Sequence, residues 1–97
     1  MSLTPKQRAQ LKGLAHHLKP IHHLGKEGMT EPALAAIGDA FSHRELIKVK
    51  VQESAPVTAR EVGELIPERL EGVEHVQTIG RTVVFYRKHP ERPVIKL

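Results

Sequence analysis

Gly25-Lys26-Glu27-Gly28 is the stretch of this 97-residue chain whose residue types and spacing are best suited to holding a ligand. It lies between a short run, Ile21 to Leu24, and Thr30, a residue suited to capping a helix. Two glycines three apart reach backbone conformations that other residues avoid and let a partner approach the main chain closely. A tight strand-to-helix turn of this kind presents the first helical amides, which lack intrahelical partners and sit at the positive end of the helix dipole, to an anion such as a phosphate oxygen. Lys26 adds a full positive charge at the same place.

A GxxG turn is how KH-type modules hold a nucleic-acid backbone, although taken alone the pattern is more often an ordinary glycine turn. The charge distribution adds a second signal. Residues 1–28 carry five Lys/Arg against Glu27, residues 29–52 balance, residues 53–74 carry six Glu against Arg60 and Arg69, and residues 75–97 carry five Lys/Arg against Glu91, for a net +4. Both ends are basic and one inner segment is acidic, which implies a domain with a basic side and an acidic side.

Other chemistries find little support. There is no cysteine, hence no disulfide, thiolate metal site or cysteine nucleophile, which fits a reducing cytoplasm. No apolar run approaches the roughly 20 residues that cross a bilayer, and MSLTPKQR lacks a secretory apolar segment, so no membrane association is expected. Ser2, Ser42 and Ser54 lie in no nucleophile setting, and no paired carboxylates or Walker loop occur, so neither an enzyme, a cofactor nor a small-molecule substrate is expected. The pairs His16-His17 and His22-His23 invite a metal, but neighbours on a strand face opposite ways and neighbours on a helix diverge, so neither pair chelates by itself. Histidines that contact RNA or sit at the surface are the simpler reading, and no metal is assigned.

The elements that must position these residues follow from capping and periodicity. Thr4, Pro5 and Gln7 open a helix with a capping box, Leu11, Leu14, Ala15 and Leu18 form its apolar stripe, Lys6, Arg8, Lys12 and Lys19 lie opposite, and Pro20 stops it. Ile21–Leu24 reads as a strand and Thr30 caps a second helix with Leu34, Ile37 and Phe41 inward. In Leu46–Val51 the apolar residues Ile47, Val49 and Val51 alternate with Lys48 and Lys50, which point outward. Thr58 and Glu61 box a third, acidic helix with Val62, Leu65 and Ile66 inward, ended by Pro67. Val73–Ile79 and Thr82–Arg87, joined by Gly80-Arg81, read as a hairpin, and residues 88–97 as an extended tail. The order αβαβαββ implies a single α/β domain, α+β-like, with a mixed four-stranded sheet covered by helices.

Leu3-Thr4-Pro5-Lys6-Gln7-Arg8, the GKEG turn, Arg44-Glu45-Leu46-Ile47-Lys48-Val49-Lys50-Val51 and Ile79-Gly80-Arg81-Thr82-Val83-Val84-Phe85-Tyr86-Arg87, in that order, resemble the CRM domain family, and more closely its stand-alone bacterial, YhbY-type members. The likeness covers a core of about 3–87, leaving a basic tail at 88–97; residues 52–72 match poorly. It implies a fold akin to the C-terminal domain of translation initiation factor three with an added N-terminal helix. It also implies a cytoplasmic RNA-binding protein that associates with large-subunit ribosomal RNA precursors and assists ribosome assembly; plant organellar relatives assist group II intron splicing. The family's RNA-contacting GxxG loop carries over to Gly25, Lys26 and Gly28, with Glu27 a local departure that puts a negative charge in the loop.

With that resemblance, the expected contact set is Gly25, Lys26, Glu27 and Gly28 in the loop, Lys48 and Lys50 on the outward strand face, and Arg44, Arg81 and Arg87 nearby. The helix Thr4 to Lys19 is expected on the same side, with the acidic helix turned away. Only Phe41, Phe85 and Tyr86 are aromatic, so recognition should rest on backbone and shape, favouring structured RNA. The expected partner is rRNA in a large-subunit precursor, bound by a monomer. The alternatives are an intron-splicing or general RNA-folding cofactor, and a protein-interaction module that docks on a ribosomal protein through the acidic helix.

Overall fold

The computed structural model describes residues 3–97, so Ser2 lies outside the described residues. The chain runs α1 (Pro5–Ala15), β1 (His22–Leu24), α2 (Glu31–Ala40), β2 (Leu46–Val51), α3 (Ala59–Arg69), β3 (Glu74–Ile79) and β4 (Thr82–Tyr86). The strands form one sheet in the order β1-β2-β4-β3. β1 and β2 pair in parallel, with His23 beside Lys50; β4 pairs antiparallel with both β2 and β3. The final hairpin therefore inserts its second strand into the middle of the sheet. Only β1 and β2 are parallel neighbours, while β3 runs in their direction at the far edge.

Strand alternation gives the sheet two buried faces. Ile47, Val49, Val51, Val83 and Phe85 point to one side, where Ile37 and Phe41 of α2 and Val62 and Ile66 of α3 cover them. Leu46, Val84 and Tyr86 point to the other, where Leu11 and Ala15 of α1 pack. Removing a fully buried aliphatic such as Val49 or Ile66 from water contributes about 1.5–3 kcal/mol. A bulge between His75 and Gln77 lets Val76 face the α1 cluster.

Caps appear where the sequence places them. Thr4 Oγ1 accepts the Gln7 N–H at 3.1 Å while Gln7 Oε1 accepts the Thr4 N–H at 3.0 Å. Thr58 and Glu61 repeat the arrangement at α3.

Three expectations need correction. α1 ends at Ala15, not Lys19, before Pro20 is reached: the His16 N–H closes on the Lys12 and Gly13 carbonyls, the Leu18 N–H turns back to the Ala15 carbonyl at 3.0 Å, and the Leu18 carbonyl accepts from the Lys48 ammonium at 2.9 Å. Leu14 is 46% exposed and lies off the buried stripe. Pro67 lies inside α3, where it costs only the bond to one carbonyl near the helix end, and the Leu70 N–H still reaches the Ile66 carbonyl at 2.8 Å. The tail, outside helix and strand, packs: Ile95 lies against the α1 cluster and the Gln10 side-chain amide donates to the Lys96 carbonyl at 2.6 Å.

Candidate nucleic-acid interface

The GKEG segment is a closed turn. The Gly28 N–H donates to the Gly25 carbonyl at 2.9 Å, and Lys26 and Glu27 stand exposed at its tip. Gly28 has φ +73, and a Cβ there would lie 3.0 Å from Pro56 Cγ, so the fold itself demands glycine at this position. Gly25 is not in the left-handed region; its added Cβ would meet only the Gln52 side-chain oxygen, at 3.3 Å. One glycine is thus required by the turn, whereas a side chain at the other would need only the exposed Gln52 side chain to shift. An open cleft of about 650 Å³ runs beside the turn, bordered by His22, His23, Lys26, Gln52 and Ser54.

The amides open to an anion are not those expected. At the start of α2, Pro32 has no N–H and Thr30 Oγ1 accepts the Ala33 N–H at 3.1 Å. The Glu31 carboxylate, held by Arg69 at 2.8 Å, adds negative charge there. The helix terminus is therefore largely closed to a phosphate. Among the described residues the N–H groups of Lys26 and Glu27 make no hydrogen bond, and neither does that of Glu31 at the helix start, so the tip of the turn offers two donors and the helix one.

Sheet pairing decides which expected cations meet. His23 lies beside Lys50 and Lys50 beside Thr82, so the three stand in a row on the α1 side of the sheet, above the region that α1 covers. Lys50 and His23 are exposed. The Val51 N–H donates to the Arg81 carbonyl at 2.7 Å, which brings the hairpin turn to the same end of the sheet as the GKEG loop. Arg81 stands 3.7 Å from Glu53, a solvent-exposed pair that contributes little to stability.

The remaining expected contacts lie elsewhere. Lys48 does not reach outward; it is half-buried beneath α1. Arg44 and Arg87 flank the other end of β2 and β4, on the order of 20 Å from Lys50 at the usual rise per strand residue. They are not neighbours of the loop. Arg8, grouped by sequence with the outward face of α1, is half-buried and donates to the His75 and Val76 carbonyls at the β3 bulge. Glu61, Glu64 and Glu68 are exposed on α3, which covers the opposite face of the sheet from α1.

Among the described residues no three His, Cys, Asp or Glu side chains gather as a metal site, and no helix is long and apolar enough to cross a membrane.

Comparison with known proteins adds three findings. Residues 3–87 match the model of the CRS1 / YhbY (CRM) domain. An RNA-binding protein of Haemophilus influenzae is 43% identical over 93 residues, covering 96% of this chain and 93% of its own; the probable RNA-binding protein YqeI of Bacillus subtilis is 38% identical over 95 residues, 98% of each chain. The solution structure of SAV1595 from Staphylococcus aureus matches with a TM-score of 0.81 at 38% identity, over 99% of both chains.

Proposed function

Because the chain belongs to the CRS1 / YhbY (CRM) domain family, we propose that it is an RNA-binding protein that engages large-subunit ribosomal RNA precursors and assists ribosome assembly by holding a structured segment. The observation that carries this reading is the meeting of the GKEG tip, Lys50, His23 and Arg81 at one end of the sheet. Free amides and cations there can grip phosphates, and each phosphate neutralised releases condensed counterions.

The aromatics favour structured RNA over an unpaired strand. Phe41, Phe85 and Tyr86 are 4%, 0% and 6% exposed, so no phenylalanine or tyrosine ring is free to stack on an unpaired base. Recognition then rests on phosphate positions and helix shape. Glu27 at the tip repels a phosphate directly below it and so restricts which backbone path fits.

RNA cross-linked to the protein in cells tests the proposal. It predicts enrichment of unprocessed large-subunit rRNA over mature rRNA. Enrichment of introns or of unrelated transcripts would instead favour a splicing or general RNA-folding cofactor. A protein-docking role through α3 predicts that reversing Glu61, Glu64 and Glu68 to lysine abolishes function while leaving RNA affinity intact.

A further inference from the structure

Gly13 stands inside α1 on an exposed face, and nothing lies within 4 Å of the position a Cβ would take. Its φ is not positive, so neither backbone conformation nor internal packing calls for glycine. Glycine in a helix interior weakens the helix relative to alanine, so this position carries a cost that the fold does not explain.

The surroundings offer an explanation. Lys12 and His16 of α1, Lys48 of β2, and Gln77 and Ile79 of β3 wall a shallow pocket of about 290 Å³ around Gly13, with no acidic residue in the wall. Lys48 is fixed by its bond to the Leu18 carbonyl at 2.9 Å and retains two further N–H donors. Lys12 is exposed and supplies a second ammonium. The pocket opens on the same sheet face as Lys50 and His23, and Lys48 lies three residues before Val51, the partner of Leu24 at the foot of the GKEG loop. That spacing is roughly 10 Å along β2, so one strand of a nucleic acid can pass over both.

We propose that this pocket is a second phosphodiester site for the same RNA, in which Lys12 and Lys48 hold a phosphate while the strand runs against the bare backbone of α1 at Gly13. The inference rests on the RNA-binding reading above and adds a place and a reason for the missing side chain. A side chain at residue 13 would hold the strand away from both lysines.

The test uses the full chain and a labelled transcript of large-subunit precursor rRNA. Gly13→Ala should raise the melting temperature. Gly13→Leu, which fills the approach with a good helix former, should bind about fivefold or more weakly while melting no lower than wild type, an opposition of sign that a structural role would not produce. Lys12→Gln, at an exposed position, should make the salt dependence shallower by about one counterion, and it keeps the test decisive even if Gly13→Leu folds poorly. If folded Gly13→Leu and Lys12→Gln bind like wild type while Lys26→Ala is weakened, the pocket plays no part and the loop reading stands alone. If wild type itself shows no salt-dependent binding, the RNA reading fails and this inference with it.

Discussion

The Glu45 carboxylate accepts the Ile95 N–H at 2.8 Å across a sequence separation of 50 residues. The same oxygen accepts the Val94 N–H at 2.7 Å, and the other accepts that of His89 at 2.8 Å. One acid, only 6% exposed, thus fastens the tail to the start of β2 and holds Ile95 against α1. Replacing it by glutamine puts an NH2 group against one of these backbone donors. Glu45→Gln should cost about 1–3 kcal/mol in urea unfolding. Hydrogen exchange at Val94 and Ile95 should accelerate with it; unchanged protection there would contradict the latch.

The same carboxylate sets an acid limit. Burial pushes it up, but the hydrogen bonds from Ile95, His89 and Val94, with the nearby His89 imidazole, outweigh burial and hold it below its ordinary value of 4.5. The unfolded chain therefore takes up this proton more readily than the folded one. Its stabilisation is full above about pH 4.5 and drains away as pH falls through the lower folded value. Urea titrations of wild type and Glu45→Gln should differ at neutral pH and converge in acid. A gap that stays constant into strong acid would contradict the assignment.

Arg8 separates structural from functional charge on α1. Its guanidinium caps the His75 and Val76 carbonyls at the bulge, and after burial its charge is the second influence that pushes the His75 imidazole down. Arg8→Ala leaves half-buried carbonyls without a partner and should cost about 1–3 kcal/mol. His75 should then titrate closer to its usual range, read by NMR, while the salt dependence of RNA binding stays as in wild type. A shallower salt slope would place Arg8 on the RNA instead.

Gly28 and Lys26 share a loop but should fail differently. Gly28→Ala forces a side chain into φ +73 and onto Pro56, and should destabilise the fold by about 1–3 kcal/mol. Lys26→Ala, at the exposed tip, should leave unfolding unchanged and weaken RNA binding. Equal stability of the two variants would show that the turn does not need its left-handed glycine.

Much of this architecture is legible in the sequence because its causes are local. Thr4 with Gln7, and Thr58 with Glu61, announce helix starts three residues apart, and the alternation from Leu46 to Val51 announces a strand. The two glycines three apart ahead of a capping threonine, together with the family likeness, mark Gly25 to Gly28 as a candidate site. What stayed hidden depends on distant residues. Nothing near Thr82 says that β4 will lie between β2 and β3, and so nothing warned that Arg44 and Arg87 would stand at the far end from the loop. Lys48 reads as an outward residue until α1 is laid across it and Leu18 claims its ammonium. Nothing beside Glu45 in the chain foretells that three amides from the tail converge on it. The missing signal at Gly13 was available: an unexplained glycine inside a well-capped helix.

Binding of a large-subunit precursor rRNA transcript across a series of salt concentrations, by wild type and by Lys26→Ala/Lys50→Ala, tests the central claim most directly. With both phosphate contacts removed from a protein of unchanged stability, the plot of log affinity against log salt should become shallower by about 1.5, and affinity at low salt should drop tenfold or more. Identical slopes and affinities for the two proteins would contradict the assignment of this end of the sheet as the RNA grip.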